Sequence, residues 1–172
     1  MGPLTSQARA RRAQAGFTLV EVLVVIVVIG IAAGFAVALA APDARDMSAR
    51  EARRFAGALE YAAQRAQWRS ETLGVSAEQR VIRYWRRNPE SGRWQLVVDD
   101  DVLRAHALPD PVDAMALAFA GRAVASNAIV PLRASGRNEP FAFALAAPGW
   151  RTVVALDPLS RVSIAGPSAD TP

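Results

Sequence analysis

The chain has 172 residues, enough for one modest domain once about forty residues of leader and apolar run are set aside at its front. Its formal net charge of +4 is carried by arginine alone; Arg9, Arg11 and Arg12 precede the apolar run in a stretch without an acid, and the remainder stands at 17 Arg against 16 Asp and Glu, so the basic excess marks a membrane flank held cytoplasmic and not a polyanion-binding face. The absence of cysteine excludes disulfides, thiolate metal sites and cysteine nucleophiles.

Residues 1–16 read as a basic leader and residues 17–41 as a continuous apolar run, Phe17 to Ala41. As a helix that run extends roughly 38 Å at ~1.5 Å per residue, beyond the ~30 Å core of a bilayer. Three readings compete. One is a plain single-pass anchor. Another is a secretory signal cut after Ala38-Leu39-Ala40, although the run exceeds the ~7–15 apolar residues usual for such signals. Arg11-Arg12 as a twin-arginine signal lacks the residues that should follow it. The third reading comes from Glu21. A carboxylate in an apolar helix costs on the order of 3 kcal/mol at the bilayer centre and less near the interface. No basic residue lies within the run, so the compensating partner comes from elsewhere. Gly30 and Gly34 form a small-xxx-small spacing that lets helices approach closely, a spacing also common by chance in such spans.

Gly16-Phe17-Thr18-Leu19-Val20-Glu21, with an arginine-rich leader before it and an unbroken apolar helix after it, resembles the signal of the type IV pilin and pseudopilin family. The resemblance implies that a membrane prepilin peptidase cuts between Gly16 and Phe17, that Phe17 becomes the methylated amino terminus, and that Glu21 becomes the fifth residue of the mature chain. The amine at Phe17, with a reference pKa near ~8, would then meet Glu21 of a neighbour in a staggered filament, so that two costly charges neutralise on assembly.

Pro42 and Asp43 mark a break at the outer interface. Ser48 with Glu51 three residues on has capping-box spacing, and Ala52, Phe55, Ala56, Leu59, Ala62, Ala63 and Ala66 recur with helical period. This predicts an amphipathic periplasmic helix within residues 42–74, ending near Leu73-Gly74, with Arg50, Arg53, Arg54, Glu60 and Arg65 on a solvated face. Residues 75–166 read as antiparallel β structure. Val81–Arg87 and Trp94–Val98 flank the hairpin signal Asn88-Pro89-Glu90-Ser91-Gly92. Further strand candidates are 115–119, 129–132, 141–145, 151–156 and 161–164. Phe141, Phe143 and Leu145 alternate, so one face of that strand is buried. Residues 167–172 read as a flexible tail. The fold class is α+β, a long N-terminal helix, membrane-spanning in its first half and amphipathic in its second, packed on an antiparallel sheet.

The helix ending in Leu73-Gly74, the hairpin carrying Trp94, the stretch Asp100-Asp101-Val102-Leu103, and Leu132-Arg133-Ala134-Ser135-Gly136 running into Pro140-Phe141 resemble the minor pseudopilin H subunits of type II secretion and the related FimT/FimU-type minor pilins. Leu132 and Ala134 stand where an aromatic and a proline are usual, and Ser160 where a glycine is usual. The resemblance implies a subunit near the tip of a periplasmic pseudopilus that helps push folded exoproteins through an outer-membrane pore. Its partners would be the prepilin peptidase, other major and minor pseudopilins, the inner-membrane assembly platform and the lipid bilayer. Its place would be the bacterial inner membrane, single-pass, N-terminus cytoplasmic and C-terminal domain periplasmic. A type IV minor pilin with a DNA-binding surface and a Sec-exported soluble periplasmic protein are the alternatives.

Enzymatic chemistry is not expected. His106 is the single histidine, and no nucleophile-elbow context accompanies it or Asp99 to Asp101. Those three acids supply hard oxygen ligands of the kind calcium takes, but without alternating spacing they read as a solvated turn. Trp85 among Arg83, Arg86 and Arg87 is a stacking surface for single-stranded nucleic acid or, as favoured here, a half-buried strand with outward arginines; nucleic acid and cofactors are not expected among its ligands.

Overall fold

The structure, a computed structural model, describes residues 19–40, 43–78 and 80–169. The chain divides into two units, one ending at Ala41 and the other beginning at Pro42.

The first unit is helix α1, Leu19–Ala40, of 22 residues. Its sequence is Val, Ile, Leu, Ala, Gly and Phe throughout except for Glu21, so it has no polar stripe to set against an apolar one; a helix apolar on all sides finds its burial outside its own chain. Consistent with this, its described side chains, Leu19 to Phe35, are all exposed. Among the described residues no helix is long and apolar enough to cross a membrane.

The second unit opens with helix α2, Ala44–Trp68. The expected start at Ser48 is corrected. Asp43 is the N-cap, in an extended conformation, and its carboxylate accepts from the Arg45 amide at 3.0 Å. With capping done one turn earlier, Ser48 faces inward instead. It is fully buried, donates to the Arg45 carbonyl at 2.9 Å and is hydrogen-bonded to Thr152 at 3.2 Å. The end is corrected too. The helix stops at Trp68, the Arg69 amide closes on the Arg65 carbonyl and the Glu71 amide on that of Ala66, and Leu73-Gly74 opens a strand.

Among the described residues ten strands follow: β1 Leu73–Glu78, β2 Val81–Arg87, β3 Trp94–Leu96, β4 His106–Ala107, β5 Asp113–Phe119, β6 Arg122–Ala123, β7 Val130–Leu132, β8 Phe141–Ala147, β9 Trp150–Leu156 and β10 Val162–Ala169. They form two antiparallel five-stranded sheets. The first has the order β3-β2-β1-β7, with β4 also paired to β2; the second runs β10-β9-β8-β5-β6. The β2–β3 hairpin is tied by the Asn88 side chain, whose Oδ1 accepts from the Glu90 and Ser91 amides at 2.9 Å each, with Gly92 at φ +67° completing the turn.

The apolar stripe of α2 supplies one wall of the core, with Ala52, Leu59, Ala62 and Ala66 fully enclosed. Phe55 meets Phe143 edge to face at 5.3 Å, and Phe143 meets Phe141 at 5.8 Å. The alternation of Phe141, Phe143 and Leu145 thus marks the core side of β8. Strand β1 is buried from Leu73 through Ala77: Leu73, Val75 and Ala77 belong to the core, while Ile129, Trp94 and Trp85 cover its other face. A Cβ on Gly74 would stand 2.6 Å from Ile129 Cγ2 and 2.9 Å from the Trp94 ring, so glycine is what lets these side chains close over the strand. Residues 167–169, expected in the tail, belong to β10, where Ser168 and Ala169 pair with β9 beyond a bulge. Gly166, at φ +100°, makes that bulge feasible, since a Cβ there would lie 2.8 Å from the Arg151 carbonyl oxygen.

Candidate functional site: an apolar helix and a charged latch

Of the residues singled out at the front of the chain, Gly16 and Phe17 lie outside the described residues. Glu21 sits in the first turn of α1, where the helix macrodipole favours negative charge. Gly30 and Gly34 fall one turn apart on one side of α1, and a Cβ at either would meet nothing of this chain within 4 Å.

In the second unit the sequence pattern concealed the main polar feature. Arg65, expected on a solvated face, is only 4% exposed. Its Nε donates to Glu71 at 2.7 Å, its Nη1 bonds Asp100, and Asp99 lies 3.9 Å from Nη2. Arg86 repeats the bridge from β2, reaching Glu71 and Asp99 at 2.9 Å each. Tyr61 donates its hydroxyl to Asp100 at 2.9 Å. Asp100 therefore stands in no solvated turn. Its second oxygen accepts from the Val102 and Leu103 amides at 2.9 and 3.1 Å, a local cap that turns the chain and drives Leu103 fully into the core. The cluster latches the loop after β3 onto the last turns of α2. A buried ion pair of this kind holds its geometry because removing either partner strands the other charge.

The three consecutive acids point to different cations. Asp99 takes Arg86, Asp100 takes Arg65, and Asp101 takes Arg104 at 2.6 Å on the surface. Among the described residues, no group of three or more His, Asp or Glu is placed to hold a metal ion. The arginines around Trp85 are likewise engaged within the fold. Trp85 Nε1 donates to Ser76 at 2.8 Å, Arg83 lies 3.9 Å from Glu78, and the Arg87 side chain donates to the Gly92 carbonyl at 3.2 Å.

Desolvation pushes the Asp100 carboxyl up, but the Tyr61 hydroxyl, the Leu103 and Val102 amides and the Arg65 guanidinium together hold it below the ordinary carboxylate range. A folded value below the unfolded one means that its contribution is fully present above about pH 4 and is lost as pH falls through the depressed folded value. The thermal midpoint of the full chain in detergent is thus expected to be level near neutrality and to fall steeply under acid conditions, and Asp100→Asn is expected to lower the neutral midpoint while flattening that acid limb. Circular dichroism melts at stepped pH check this; an acid limb that Asp100→Asn leaves unchanged removes the assignment.

Two further clamps complete the unit. Glu51, expected to close a capping box with Ser48, instead meets His106 Nε2 at 2.8 Å and ties β4 to α2. Ser160, standing where the resembled family has glycine, adopts φ +62°, a left-handed conformation costing roughly 1 kcal/mol for a residue with a Cβ. Its hydroxyl donates to the Gly136 carbonyl at 2.9 Å and accepts from Asn138 Nδ2 at 2.8 Å, bonds worth about 1 kcal/mol each, which offset the strain and pin the 133–138 loop to the β9–β10 turn.

An apolar helix carrying one acid, followed in the chain by a two-sheet unit braced against a second helix, is the arrangement of the pseudopilin class. Two family models match the chain. Residues 11–37 match the prokaryotic N-terminal methylation motif, and residues 51–160, more than half of the chain, match the type II transport protein GspH; the chain belongs to the GspH family. The type II secretion system protein H of Pectobacterium carotovorum subsp. carotovorum is 42% identical over 67 residues, covering 39% of this chain and 36% of that protein, so the chain spans about a third of the length of that curated relative. Among solved structures, the minor pseudopilin EpsH of the Vibrio cholerae type 2 secretion system superposes with a TM-score of 0.59 at 16% identity, covering 73% of this chain and 99% of that one. The solution structure of Escherichia coli GspH does so with a TM-score of 0.57 at 20% identity, covering 77% and 98%. At those identities the superpositions establish the fold, which is that of the pseudopilins.

Proposed function

We propose that the chain is a minor pseudopilin of a type II secretion system, processed by a prepilin peptidase between Gly16 and Phe17, methylated at Phe17, and built into a periplasmic pseudopilus with sister pseudopilins on an inner-membrane platform. The observation that carries this reading is the joining, in one chain, of a methylation motif over residues 11–37 to a GspH match over residues 51–160. Before assembly the run from Phe17 to Ala41 lies across the inner membrane, with the arginines of the leader on the cytoplasmic side and the sheets in the periplasm. Glu21, just inside the apolar layer, draws the amine freed at Phe17 on a neighbour. The globular unit performs no bond chemistry in this scheme; its braced sheets give the filament tip a rigid face against which a folded exoprotein is moved.

Deleting the gene is expected to abolish release of folded exoproteins, which accumulate in the periplasm, while twitching and DNA uptake continue. Loss of twitching or uptake with secretion intact would instead place the subunit in a type IV pilus.

A further inference from the structure

Between α2, β2 and the loop leading into β4 lies a half-open cleft of about 240 Å³. Its walls mix apolar side chains, Phe55, Ala58, Ile82 and Val102, with the charged or polar Asp101, Arg104 and His106. Two further polar groups, Tyr84 and Arg54, bear on what it could take. Tyr84 is 2% exposed, lines the cleft, and its hydroxyl is buried without a hydrogen-bond partner among the described residues. Leaving such a donor unmet costs roughly 1–3 kcal/mol. Arg54 lines the same cleft, is exposed, and lies near enough to the phenol to oppose the upward push that burial gives it. The other charged groups here are already matched, Arg104 with Asp101 and His106 with Glu51. What the cleft lacks is therefore an acceptor, best a carboxylate, that satisfies the phenol and the guanidinium together. Its volume falls below the ~300–1,000 Å³ typical of small-molecule sites.

We propose that this cleft is a socket for an aspartate or glutamate side chain of a neighbouring filament subunit, its methylenes against Phe55 and Ile82 and its carboxylate on the Tyr84 hydroxyl and Arg54. The proposal rests on the filament reading above. Because the chain contains no cysteine, Val102→Cys places a single thiol on the rim. The full-length variant is labelled in cells with a thiol-directed photo-crosslinker, and filaments are sheared, collected and mapped by mass spectrometry.

The expected result is recovery of the chain in the filament fraction with a crosslink to a sister subunit, in a peptide containing Asp or Glu. Tyr84→Phe, which preserves core volume, is expected to lower the crosslink yield roughly tenfold, and Arg54→Glu to lower it further, with melting temperatures close to the parent's. Recovery in filaments with no subunit crosslink overturns the socket and leaves the filament reading standing. So does a crosslink to an exoprotein or to an acid-free peptide, or a yield indifferent to both substitutions. Absence of the chain from filaments overturns both.

Discussion

Arg65→Met is expected to destabilise the globular unit by about 3–5 kcal/mol, because it leaves the Asp100 and Glu71 carboxylates buried without the guanidinium that bridges them. Methionine retains most of the side chain's volume in the core, so the loss is electrostatic and not a cavity effect. For a unit of this size the thermal midpoint is expected to fall on the order of 10 °C or more. The loop carrying Leu103 should loosen first, since Asp100 both accepts from its amide and anchors to Arg65. Arg65→Lys keeps the charge but cannot reach Glu71 and Asp100 at once, and should fall between the two. Hydrogen exchange at the Val102 and Leu103 amides, read with thermal melts of the same variants, checks this. A midpoint shifted by only a degree or two, with those amides still protected, would mean that the cluster is ornamental.

Glu21→Val is expected to leave peptidase cutting intact while reducing incorporation into filaments roughly 30-fold. Removing one partner of a desolvated charge pair costs about 2–5 kcal/mol, and 2 kcal/mol is already close to that factor. Valine prolongs the apolar character of α1, so insertion into the membrane improves slightly and cannot explain a loss. Glu21→Asp keeps the charge on a shorter stem and should recover part of the incorporation. The checks are quantitative blotting of processed subunit in the sheared filament fraction against the membrane fraction, and exoprotein release in the same strains. Incorporation at the parental level would remove the charge-pairing mechanism.

The two features differ in how openly the sequence displays them. The front of the chain is a linear signal, in which leader charge, Gly16, Phe17 and Glu21 stand in a fixed order before an apolar run, so its reading needs no tertiary information. Strands with a period-two pattern are equally readable: β2 stands at its expected position, and β8 begins where expected and runs two residues further, to Ala147. Strand β1 is not, because both of its faces are covered and its opening Leu-Gly looks like a helix terminator. The start of α2 differs for a related reason, namely that Ser48 carries a capping residue's chemistry but faces Thr152. The latch was the least visible. Arg65 lies directly before Ala66 in the buried stripe and is separated from Asp100 by 35 residues, and nothing local distinguishes it from Arg50 or Arg53. The available hint was a run of three acids immediately before an apolar pair, Val102-Leu103, which places a charge where the chain must turn inward.

The scheme as a whole depends on liberation of an amine at Phe17. Mass spectrometry of the intact mature chain, purified from the inner membrane with its amino terminus sequenced, measures that directly. The account predicts a chain beginning at Phe17 and carrying one methyl group on its amine, and a Gly16→Ala variant that keeps its leader. A functional chain still bearing Arg9, Arg11 and Arg12, or one beginning at Ala41, would contradict it.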